Sequence, residues 1–125
     1  MQLDHVTLIA PDCDAFMRFF VDVAGMRVGP RPPFGVDGYW LYLDARPVLH
    51  LIGTGGAASA ERPASARIDH FALRIDNAAE WSALTDRLET HGYAYQLADV
   101  PLARERQLFM RLAPGVVVEF VTARS

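Results

Sequence analysis

Leu3-Asp4-His5-Val6-Thr7-Leu8 returns in the second half of the chain as Ile68-Asp69-His70-Phe71-Ala72-Leu73, with apolar, Asp, His and apolar residues in the same order. A second echo joins Val48-Leu49-His50-Leu51-Ile52 to Val117-Val118-Glu119-Phe120-Val121. Each copy opens on a strand that carries a histidine and closes on a strand with one polar residue among apolar neighbours. Self-similarity of this kind marks two copies of one supersecondary unit, each too small to bury its apolar face alone. The side chains at matching places are His5, His50, His70 and Glu119. Three imidazoles and one carboxylate make a ligand set for a divalent transition metal.

Outward from the repeat, the elements follow in the same order twice. Residues 2–9 read as a strand by their period of two, and Asp12 caps a helix whose apolar stripe is Ala15, Phe16, Phe19, Phe20 and Val23, with Gly25 as its stop. A short strand at 26–28 is broken by Pro30, Pro32 and Pro33, which cannot donate to a ladder. Strands at 39–43 and 48–52 follow, joined by the tight connection Asp44-Ala45-Arg46-Pro47. Residues 53–66, rich in Gly, Ala, Ser and Pro, read as the linker between a first module at about 1–52 and a second at about 67–125. The second module has a strand at 68–75, then a helix opened by Asn77 with Glu80 as its capping-box partner and Trp81, Leu84 and Leu88 as its stripe. Gly92 ends it, beside a solvent-facing His91, and strands at 93–97, 107–112 and 116–121 complete the copy.

The expected fold class is α+β, with two tandem βαβββ modules forming a curved mixed sheet around a cavity and both helices outside. Alternation along each strand decides where the polar residues point. His5 shares a face with Thr7, and His70 with Ala72 and Arg74, whereas Val6/Leu8 and Phe71/Leu73 form wholly apolar faces. The apolar faces belong under the helices. His5, His70, His50 and Glu119 are therefore expected together on the concave side, where a carboxylate needs a partner to be tolerated.

Composition narrows the classes of function. With 51% hydrophobic and 22% charged residues in 125, the chain supports one globular core. A net charge of −3 without a Lys/Arg run excludes a nucleic-acid surface, which needs clustered positive charge. No apolar run approaches the roughly 20 residues of a membrane span, and the N-terminus lacks a signal-peptide pattern. Cys13 is the single cysteine and cannot form an internal disulfide. A soluble, cytoplasmic protein is the expectation.

The doubled strand-helix-three-strand order, with Leu3-Asp4-His5 and Ile68-Asp69-His70 opening the modules and Val118-Glu119-Phe120 in the last strand, resembles the vicinal oxygen chelate superfamily. That superfamily includes glyoxalase I, extradiol dioxygenases, methylmalonyl-CoA epimerase and bleomycin resistance proteins. The resemblance implies one divalent metal ion (Zn, Ni, Mn, Co or Fe) held by His5, His70 and Glu119, with His50 as candidate fourth ligand. In glyoxalase I a carboxylate ligand stands where this chain has His50. The acidic residue that many relatives carry before the last strand is absent from Leu112-Ala113-Pro114-Gly115, while the Pro-Gly turn is kept.

Three readings of function follow from the resemblance. One is a lyase or isomerase on a small substrate that chelates the metal through adjacent oxygens, with His50 or Glu119 moving the proton. Another is an extradiol-type Fe(II) dioxygenase using His5, His70 and Glu119 as a two-His, one-carboxylate face. A third is a drug- or metabolite-binding protein without turnover. Phe34, Tyr39 and Trp40 read either as strand core or as an aromatic wall for the substrate, and Arg74 either as a ligand for a substrate carboxylate or as a solvated rim residue. Gln107 shares a strand face with Arg111, which points inward or outward. One half-open sheet leaves an edge to be covered, so a homodimer is expected, with the metal ligands drawn from one chain or shared between two.

Overall fold

The computed structural model describes residues 1–53, 66–113 and 115–124. β1 (Gln2–Ala10) leads into α1 (Cys13–Asp22), followed by β2 (Arg27–Gly29), β3 (Gly38–Leu43) and β4 (Arg46–Gly53). The order repeats as β5 (Arg67–Arg74), α2 (Ala78–Thr90), β6 (Gln96–Val100), β7 (Glu105–Ala113) and β8 (Val116–Ala123), with a 3-10 turn at Pro101–Ala103. The fold is α+β, built of two βαβββ repeats. The expected linker lies outside the described residues except for its ends, Gly53 and Ala66, as does Pro114 of the expected Pro-Gly turn.

Both helices begin where the sequence supplies a cap. The Asp12 side chain accepts from the Ala15 amide at 3.0 Å, and Asn77 accepts from the Glu80 amide at 2.7 Å, each satisfying an N–H that has no partner inside its helix. The Glu80 carboxylate, read from the sequence as the reciprocal half of a capping box, lies 3.3 Å from the amino group of Met1. Gly25 (φ +78°) and Gly92 (φ +75°) then turn the chain out of the helices through the left-handed region.

The described chain divides into two units, one of His5–Asp69 and one of Met1–Asp4 with His70–Ser125. In the first, the strands run β2-β3-β4-β1, with β1 parallel to β4 and β3 antiparallel to both β2 and β4. Cys13, Met26, Leu41, Leu49 and Leu51 form its core, against which Val6, Leu8, Phe16, Met17 and Phe20 pack. The α1 stripe therefore starts at Cys13 and runs through Phe16, Met17, Phe20 and Val21. Phe19 and Val23, expected on it, are 55% and 72% exposed. Both phases fit a helical period, so the spacing of the apolar residues alone does not choose between them.

In the second unit the strands run β5-β8-β7-β6, with β5 parallel to β8 and β7 antiparallel to β8 and β6. Trp81, Leu84 and Leu88 of α2 pack with Ile75, Leu108, Met110 and Phe120, as the stripe predicts. β6 begins three residues later than its expected start at 93. The Tyr93 amide is engaged by the Leu88 carbonyl at 2.9 Å, and the Tyr95 hydroxyl by Glu89 at 2.8 Å, so the end of α2 takes this stretch before the sheet can.

Candidate metal centre

In the second unit the sheet register brings the polar residues of β5 and β8 to one face. Ala72 lies opposite Glu119, with His70 opposite Val117 and Arg74 opposite Val121. Phe120, next to Glu119 in sequence, points the other way and packs under α2. The Nε2 of His70 lies 3.0 Å from Oε2 of Glu119, and the two side chains are 15% and 1% exposed. A carboxylate so withdrawn from water needs a cation or strong donors beside it. Phe109, opposite Glu119 on β7, presents its ring edge-on to His70 at 6.1 Å. Gln107 alternates with Phe109 and therefore shares the face of Glu119, while Arg111 on that face is exposed.

The pair fits a metal. His70 Nε2 and Glu119 Oε2, 3.0 Å apart, would each offer one ligand atom to a shared ion. One nitrogen and one oxygen, drawn from a neutral imidazole and a carboxylate, suit Zn, Ni, Mn, Co and Fe alike.

In the first unit His5 (5% exposed) and Thr7 (1%) occupy the face of β1 opposite Val6 and Leu8, which pack into the core. His50 lies directly beside His5. Its ring is stacked on His5, with centroids 3.8 Å apart and planes 14° apart, and on Trp40 at 4.2 Å and 9°. Its Nε2 meets the Pro47 carbonyl at 3.2 Å. The β3·β4 register explains this reach. Leu41 pairs with Leu49 and Tyr42 with Pro47, so Val48 is an extra residue on β4 and bulges the strand.

The aromatic residues divide between the two faces of β3 and the segment before it. Trp40 stacks on His50 and Phe34 lies 6.1 Å from Trp40, but Tyr39 points to the other side, into the core under α1, and its hydroxyl donates to Asp14 at 2.5 Å. Neighbouring residues of a strand face opposite ways, so Tyr39 and Trp40 cannot both line one surface. The hydrogen bond to Asp14, then burial, raises the Tyr39 pKa above its usual value.

Arg74 does share the face of His70, as alternation predicts. Its guanidinium is already occupied, with Nε 2.5 Å from Asp4 and Nη2 paired with Glu105. Burial lowers its pKa, but the bonds to Asp4 and Glu105 outweigh this and leave it above the ordinary arginine value. Sequence reasoning missed both carboxylates. Asp4 was visible as half of the repeated Asp-His pair, whereas Glu105, set between Arg104 and Arg106, reads as surface charge.

Two βαβββ repeats, with histidine on the opening strands and Glu119 on the closing one, define the class of the vicinal oxygen chelate fold. The chain belongs to the Glyoxalase/Bleomycin resistance protein/Dioxygenase superfamily, whose family model matches residues 2–103. Among solved structures it is similar to methylmalonyl-CoA epimerase from Mycobacterium tuberculosis, with 20% identity and a TM-score of 0.70 over 99% of this chain and 89% of that one. It is also similar to a catechol 2,3-dioxygenase, at 18% identity and a TM-score of 0.76 over 98% of this chain and 39% of the other. A third is the Mn(II)-bound glyoxalase from Novosphingobium aromaticivorans, at 14% identity and a TM-score of 0.74 over 98% and 38%. The chain thus spans about two fifths of the last two proteins. A comparison with curated proteins gives no match. No helix among the described residues is long and apolar enough to cross a membrane.

Proposed function

We propose that the protein is a divalent-metal-dependent enzyme of the glyoxalase type, a lyase or isomerase acting on a small substrate that offers two adjacent oxygens. His5, His70 and Glu119 are the proposed ligands. The observation that carries the reading is the 3.0 Å approach of His70 Nε2 to the almost fully buried Glu119 carboxylate. Such an ion, when bound, polarises the substrate oxygens and makes the adjacent C–H more acidic. Glu119 is the proposed proton acceptor, because its carboxylate lies where it can exchange a proton without contact with bulk water. Phe109 and Gln107, on the same sheet face, would bound the substrate on the β7 side. The family resemblance and the epimerase-like and glyoxalase-like folds support an enzyme of this kind.

A second reading is favoured by one observation. The Nε2 of His50 is engaged by the Pro47 carbonyl, and a two-His, one-carboxylate set of His5, His70 and Glu119 is also the template of Fe(II) dioxygenases. The two are separated by a substrate screen across reconstituted metals, run with and without oxygen. Turnover under anaerobic conditions with Zn, Ni, Co or Mn supports the lyase or isomerase. Turnover of catecholic substrates only with iron and with oxygen uptake replaces it by the dioxygenase. Ligand-dependent stabilisation with no product in any arm would mean a binding protein. The protein is further proposed to be cytoplasmic and to act as a homodimer; the exposed outer strand β6, with Leu97 56% exposed, supports the pairing of two copies.

A further inference from the structure

Four side chains beside His5 form a continuous ladder in the first unit. The Arg31 guanidinium lies 5.4 Å over the Phe34 ring, and Phe34 lies 6.1 Å from Trp40 at a 44° tilt. Trp40 stacks on His50 at 4.2 Å, and His50 stacks on His5 at 3.8 Å. Both stacks are close to parallel, at 9° and 14°. A flat ring has two faces, so His50 is held between Trp40 and His5. Its rotation within its own plane is stopped by Nε2, which donates to the Pro47 carbonyl at 3.2 Å, since a carbonyl oxygen only accepts. The Trp40–His50 cross-strand pairing in turn fixes the plate to the β3·β4 ladder.

We propose that Trp40 and His50 are positioning residues that fix the plane of the His5 imidazole for metal binding, so that metal affinity depends on a tryptophan that is not itself a ligand. The inference rests on His5 being a ligand. An imidazole on a strand turns about two side-chain torsions, and a nitrogen that must meet an ion at about 2.1 Å tolerates little of that freedom. Stacking on an immobile plate removes it before the ion arrives. Supporting groups around metal-bound histidines carry roughly ten- to hundred-fold in affinity. Trp40 acts in this way at one remove, because one of its faces is covered by His50 and is closed to a substrate.

Zinc affinity, read by competition with a chromophoric chelator, tests this in folded protein without reference to turnover. The variants are Trp40→Ala, Trp40→Leu, Trp40→Phe and His5→Ala, with far-UV circular dichroism as the check on folding. Trp40→Leu keeps apolar volume without a ring face, and Trp40→Phe keeps the ring, so the comparison stands even where Trp40→Ala does not fold. The expected result is roughly ten-fold or greater weakening in Trp40→Leu and near wild-type affinity in Trp40→Phe. Equal affinities for Trp40→Leu, Trp40→Phe and wild type, with His5→Ala impaired, would overturn the positioning role and leave the ligand assignment standing. Unchanged affinity in His5→Ala would remove the ligand assignment and the inference together.

Discussion

Replacing Arg74 by Met separates a structural charge from a substrate anchor. Its guanidinium joins Asp4 and Glu105, and the three side chains are 21%, 16% and 24% exposed. Removing one member of a buried ion pair costs about 3–5 kcal/mol, whereas an exposed pair contributes about 0–1 kcal/mol. At this intermediate burial the expected loss is about 2–3 kcal/mol, because Arg74→Met leaves two carboxylates facing each other without a cation. For a domain of this length that lowers Tm by about 8–12 °C. Urea unfolding followed by circular dichroism measures it, with the midpoint falling and the slope unchanged. The triple variant Arg74→Met, Asp4→Asn, Glu105→Gln should recover most of the loss, since no charge is left stranded. Stability within about 0.5 kcal/mol of wild type, together with a raised KM for an anionic substrate, would refute the structural role and restore Arg74 as a substrate ligand.

Other expectations are simpler. Tyr39→Phe should flatten the alkaline limb of stability: the raised pKa means that the phenol contributes fully below its unfolded value of about 10 and loses that contribution as pH rises through the folded value. Urea midpoints across pH 8 to 11 should therefore converge between variant and wild type at the alkaline end, and a difference independent of pH would count against the Asp14 hydrogen bond as its cause. Cys13 is buried, and burial, followed by the charge of Asp14, raises its pKa, so alkylation by iodoacetamide should be slow in native protein and fast in urea. Leu108→Ala, at a fully buried core position, should cost about 2–5 kcal/mol in the same urea assay.

The fold was legible because its signals are local or repeated. Asp12 and Asn77 stand at their caps, and the doubled Asp-His strands announce two copies of one unit. Alternation alone also put His70, Arg74 and Glu119 on one face, which the β5·β8 register bears out. What the sequence hid depends on partners distant in the chain. The engagement of Arg74 by Asp4 and Glu105 requires knowing which strands are neighbours. The contact of His50 with Pro47 spans a bulge at Val48 that no residue pattern announces. Tyr39 is different: alternation already forbade it from joining Trp40, and aromatic content obscured that rule. The start of β6 was lost to competition, because helix-end hydrogen bonds claim the residues that β-propensity assigns to a strand.

Metal content measured on protein purified without chelator is the most direct test of the metal centre. Elemental analysis of wild type, His70→Ala and Glu119→Gln, each shown to be folded by circular dichroism, should find about one divalent ion per chain in wild type and a small fraction of that in either variant. Wild-type metal content in both folded variants would contradict the ligand assignment, and would leave the 3.0 Å His70–Glu119 contact as a buried ion pair of the sheet.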